Sequence, residues 1–174
     1  MILGMSTATY TLIHVLISLI AIASGFVVMY GLVRGKRLDR MTALFLTTTV
    51  LTSVTGFGFP IGDHLSPANK LGIISLVVLA IAVVARYPLH LAGGWRRTYV
   101  ISAAMALYLN SFVLVVQSFE KVPVLKALAP TQKEPPFAIA QGTVLVAFIV
   151  LTIFAVTRFR SGPVVAVRNT GKAA

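Results

Sequence analysis

Residues 9–33 read TYTLIHVLISLIAIASGFVVMYGLV, and this stretch decides the fold. No Asp, Glu, Lys or Arg interrupts its 25 positions, and His14 is its one histidine. A bilayer core about 30 Å thick needs roughly 20 apolar helical residues to cross it, at about 1.5 Å of rise each. The stretch therefore predicts a membrane-spanning helix. Working outward, four more stretches have the same character: 42–59, 71–91, 98–119 and 137–157. The third is the weakest, because only the 15 residues 71–85 are free of charge, about 22 Å of helix. Arg86 is expected to snorkel to the interface along its apolar stem, with Tyr87 at the same depth. The helix is expected to continue to about Leu91, kinked at Pro88.

Composition agrees with these stretches. The chain of 174 residues is 57% hydrophobic and 11% charged, where a soluble domain is about 25% charged. With a mean hydropathy of +0.93, a soluble single domain and a disordered chain are both excluded. Cysteine is absent, which excludes disulfides, thiolate metal sites, covalent c-type haem and thiol redox chemistry. A cleaved signal peptide needs a positive segment before its apolar core. The first basic residue is Arg34, so the first apolar stretch is expected to remain in the mature protein.

Fifteen Lys and Arg against four Asp and Glu give a net charge of +11. Such a balance can signal nucleic acid, but the basic residues are divided among short connections between apolar stretches and make no aromatic-interleaved basic domain. Nucleic-acid binding is not expected. With the N-terminus outside, eleven basic residues fall on the cytoplasmic side: Arg34, Lys36, Arg37, Arg40, Arg86, Arg96, Arg97, Arg158, Arg160, Arg168 and Lys172. Lys70, Lys121, Lys126 and Lys133 fall outside, with Asp63, Glu120 and Glu134. This is the positive-inside distribution, and removing the third span would break it. The expectation is an all-α integral membrane protein of five transmembrane helices, N-terminus outside and C-terminus cytoplasmic. Short connections make the first four helices an up-and-down bundle. Residues 1–160 form one transmembrane domain on this reading, and 161–174 a flexible basic tail. A bacterial cytoplasmic membrane is the expected location.

In lipid, helix interfaces favour small and weakly polar residues. His14, Ser18, Ala21 and Gly25 make one such stripe on the first helix, and Thr48, Thr52 and Thr55 another on the second. Asn110 and Gln117 are seven apart on the fourth helix, and Gln141 lies near the outer end of the fifth. A carboxamide is costly in lipid without partners, so each is expected to face the bundle interior. Plain helix packing accounts for the same stripes, because Ser and Thr commonly bond their own helix backbone.

Depth adds a further expectation. With the N-terminus outside, His14, Thr52, Thr55, Gln117 and Gln141 lie in the outer half, and Asn110 near the middle. The loop at 60–70 brings Asp63 and His64 to that side. The loop at 120–136, read as a short interfacial helix at 122–128 and an extended stretch at 130–136, is expected to close over them. The result is a polar pocket opening outward. Its ligand-binding set is His14, Ser18, Thr52, Thr55, Asn110, Gln117 and Gln141, and its metal set is His14, His64 and Asp63. His90 is expected at the inner interface near Tyr87, Trp95 and Arg96.

A histidine inside a span is a functional candidate by default. Two bis-histidine haems need four histidines, and the chain has three. One haem b held between two histidines requires the His64 loop to dip inward. Catalytic triads, HExxH, Walker, GxGxxG and EF-hand patterns are absent. No Asp or Glu lies inside a span, which argues against a carboxylate-driven antiporter. The expected function is binding of a hydrophobic or redox ligand (quinone, haem, lipid or a metal ion), associated with electron transfer rather than catalysis. The alternatives are a non-catalytic subunit or scaffold, as a homo-oligomer or in a larger membrane complex, and last a small transporter.

Overall fold

The computed structural model describes Ile2, residues 4–59 and residues 67–160. These residues form six helices and no strand: α1 (Thr7–Val33), α2 (Asp39–Gly56), α3 (Pro67–Arg86), α4 (Trp95–Lys121), α5 (Pro123–Leu128) and α6 (Pro135–Arg158). Four of them, α1, α3, α4 and α6, are long and apolar enough to cross a membrane. The chain is thus consistent with an integral membrane protein. The second expected span, α2, does not reach the same apolar character. It starts on Asp39 and Arg40 and carries six threonines in 18 residues.

Local chemistry explains most boundaries. The Ser6 hydroxyl accepts from the Thr9 N–H at 3.1 Å and caps α1. The chain leaves α1 through Gly35 at φ +69, a left-handed turn that suits glycine. Asp39 then opens α2, where a negative charge faces the positive end of the helix dipole.

The third helix differs from expectation at both ends. It begins at Pro67, since a first-turn proline lacks only an N–H that the helix does not use. With the added turn α3 is 20 residues long, about 30 Å, and its charge-free part remains 71–85 between Lys70 and Arg86. It stops at Arg86, so Pro88 lies past its end and kinks nothing. The chain closes there through Leu89 N–H to Val84 O at 3.1 Å and Leu91 N–H to Ala85 O at 3.0 Å. His90 and Leu91 are both left-handed, at φ 48 and 59. That geometry is unfavourable for residues with a Cβ, and burial of the Leu91 side chain offsets it.

Helices α1 to α4 close a ring in which each packs on the next and α4 returns to α1. Contacts between helix starts and ends make the neighbours antiparallel. Tyr10 Oη donates to Thr55 O at 2.8 Å across α1 and α2, and Asp39 pairs with Arg86 across α2 and α3. The fifth long helix, α6, lies outside the ring against α1 and α4. It buries only Phe148 and Ala155. Arg96 Nη1 donates to Val156 O at 3.3 Å and Gln141 Nε2 to Phe112 O at 3.2 Å, which ties α6 antiparallel to α4. The short helix α5 is where the sequence placed it. Residues 130–132 form a turn, with Gln132 at φ 57, rather than an extended stretch. This segment packs back on α4, with Gln132 Nε2 donating to Val116 O at 3.1 Å and Phe119 edge-on to Phe137.

The centre is apolar and close-packed. Phe45, Leu79, Ala82, Ala103 and Leu107 are almost wholly buried. Gly25 lets α1 approach α2 and α4: a Cβ there would lie 2.5 Å from Leu107 Cδ1 and 2.8 Å from Phe45 Cε2. In the expected stripe on α1, Ala21 and Gly25 are therefore packing residues.

Candidate functional site

The corner where α1 begins and α2 ends carries the most concentrated polar chemistry of the expected set. His14 Nδ1 lies 2.8 Å from Thr55 Oγ1. The Thr55 hydroxyl has one proton, and it donates that proton to Leu51 O at 2.7 Å, one turn back. It must then accept from His14. In that arrangement the proton sits on Nδ1, and a neutral imidazole would offer Nε2 as a lone-pair acceptor. Phe59 stands edge-on to the imidazole, with ring centroids 5.2 Å apart, and edge-on to Tyr10 at the same distance. Gly58 makes room for the Tyr10 phenol, since a Cβ there would lie 2.1 Å from its oxygen.

The other expected residues are only partly gathered. Ser18 donates to His14 O at 2.7 Å, a bond within its own helix. Thr52 is on the same face of α2 as Thr55, and its buried hydroxyl has no partner among the described residues. The buried Asn110 Nδ2 and Gln141 Oε1 are likewise unpaired, and no hydrogen bond among the described residues joins either side chain to His14. Gln117 departs from expectation, because it is exposed. The buried face of α4 runs through Tyr99, Ala103, Leu107, Ser111 and Phe119 at multiples of four. Gln117, two residues before Phe119, is turned away from that face.

Asp63 and His64 lie outside the described residues, and so does the tail at 161–174. Among the described residues, no group of three His, Cys, Asp or Glu is placed to hold a metal ion. Two interhelical grooves are lined mainly by apolar side chains. One of about 250 Å³ lies between α1, α4 and α6, around Phe26, Ser111 and Phe148. Another of about 400 Å³ lies between α2 and α3, around Thr47, Val50 and Tyr87. Neither is lined by His14, Thr52, Thr55, Asn110 or Gln141.

A second polar cluster occupies the opposite end of the bundle, and sequence reasoning missed it. Arg86 is not extended to an interface; its side chain is 2% exposed. Its guanidinium pairs with Asp39, which also accepts from Arg37 Nε at 2.8 Å. It lies 5.0 Å from the Tyr99 ring centroid and 5.9 Å from that of Tyr87, within cation–π range. A buried guanidinium needs a partner, and packing by Tyr99 holds it where Asp39 can reach it. The available signal was that Asp39 is the lone carboxylate on that side, at the depth of Arg86. His90, as expected, is exposed at this end.

Fold and site together define a small α-helical bundle suited to a membrane, with an imidazole–threonine–aromatic corner and a buried ion pair at opposite ends. Comparison with family models, curated proteins and solved structures gave no match.

Proposed function

We propose that this chain crosses a membrane five times, N-terminus out and C-terminus in the cytoplasm, and binds a hydrophobic small molecule at the His14 corner. The observation that supports this most is the commitment of His14 Nδ1 to Thr55, whose own proton is spent on Leu51. An imidazole in that state offers Nε2 as an acceptor. It suits a ligand that brings a hydroxyl proton or a metal centre, such as a quinol or a haem iron, beside the apolar rings of Phe59 and Tyr10. The role is binding, with no reaction assigned. A bacterial cytoplasmic membrane is the proposed setting, since the basic residues gather at one end of the helices.

Detergent-purified protein should carry a Soret band, a stoichiometric metal, or an extractable quinone or lipid identified by mass spectrometry. His14→Ala should abolish that ligand while leaving the helical content unchanged. A wild-type protein without any of these would end the proposal. The second reading, a scaffold subunit, draws support from α6, whose exposed Ile139, Val146 and Ile153 make a stripe seven residues apart. A scaffold would co-purify with a defined partner or as an oligomer, and would be indifferent to His14→Ala.

A further inference from the structure

The groove between α2 and α3 carries a feature at its mouth that the His14 reading does not use. Ala43, Thr47, Val50 and Leu51 line it from α2, Val83 from α3 and Tyr87 from just past the end of α3, around a volume of about 400 Å³. At 100° per residue, Arg40 falls on the same face of α2 as Thr47 and Leu51. It therefore stands one turn beyond Ala43, at the basic end of the bundle. Arg40 is exposed, and no carboxylate among the described residues pairs with it. The neighbouring Asp39 is already shared between Arg37 and Arg86. Tyr87, just past the end of α3, lines the groove at that same end.

We propose that this groove seats one acyl chain of an anionic phospholipid, with the phosphate held by Arg40 and Tyr87. The charge and the apolar channel are in line, which is what an amphiphile with an anionic head requires. A second copy of the chain would bring its own Arg40 to the mouth if the groove paired with itself, setting like charges together. The phosphate end of this site, at Arg40, lies at the opposite end of α2 from the His14 corner.

Native mass spectrometry of the full chain tests this, using phosphatidylglycerol, phosphatidylcholine with the same acyl chains, and oleate as probes. The wild type should retain one phosphatidylglycerol about fivefold better than phosphatidylcholine, whose choline cancels the phosphate charge, the factor that one arginine beside a net-anionic headgroup supplies. Arg40→Gln should erase that preference, whereas Arg97→Gln, at the same end but away from the groove, should keep it. Thr47→Trp, which fills the groove from an exposed position, should reduce retention of both phospholipids. Ala43→Phe is read in its place if circular dichroism finds Thr47→Trp unfolded. The proposal is overturned if Arg97→Gln acts like Arg40→Gln, or if the groove-filling variant leaves retention unchanged. It is equally overturned if oleate is held as tightly as phosphatidylglycerol, or if the groove-filling variant dissociates a dimer instead of releasing lipid.

Discussion

Thr55 has a single hydroxyl proton, and the Leu51 carbonyl takes it. The state of His14 follows from that one bond. Thr55→Val should remove the acceptor for Nδ1 and lower stability in detergent by about 1 kcal/mol. Nitrogen-15 NMR of the histidine should then report a mixture of tautomers in place of the Nδ1–H form. At the other end, the cost of mutation depends on which partner is left behind. Asp39→Ala strands a buried guanidinium and should destabilise by about 1–3 kcal/mol. Arg86→Met removes the charge, keeps the length and should cost less; thermal unfolding of the two variants compares them directly. The sequence made these groups legible in unequal measure. Helical spacing placed His14 and Thr55 at one depth, but no spacing rule pairs side chains 41 positions apart. Arg86 was misread because snorkelling is the usual behaviour of an arginine at a span end, and its partner stands 47 residues away.

Helix existence was plain from apolar length, whereas helix ends depended on single residues. Pro67 and Pro88 illustrate the difference. One proline starts α3 and the other stands beyond its stop, and a count of charge-free residues distinguishes neither role. The stop also stores strain that can be measured. His90→Gly should relieve the left-handed backbone and raise stability by about 1 kcal/mol, read as a higher melting temperature. Gly25 behaves in the opposite sense. Gly25→Val would drive two methyl groups into Phe45 and Leu107, and should cost about 1–3 kcal/mol by overpacking. The stripe containing Gly25 was visible in the sequence, but its meaning was not. Of its four members, Ala21 and Gly25 serve packing, Ser18 serves its own backbone, and His14 alone reaches across to another helix.

At the scale of the whole molecule, the proposed five-crossing topology would divide the net charge into +10 on the cytoplasmic side and +1 outside. Since the chain has no cysteine, single substitutions can report its topology without background. Lys126→Cys should react with an impermeant maleimide on intact cells, while Lys36→Cys and Gly93→Cys should react only after lysis. Labelling of Gly93→Cys from outside would remove α2 from the set of crossings. The pairing of α1 to α4 into a ring has a different consequence for the last long helix. Because α6 buries only two residues and rests on α1 and α4 outside the ring, its docking can follow the closure of the first four helices. The first four helices can settle before α6 leaves the ribosome. A chain nicked in the turn at residues 130–132 should keep both fragments together, held by docking rather than by the peptide backbone.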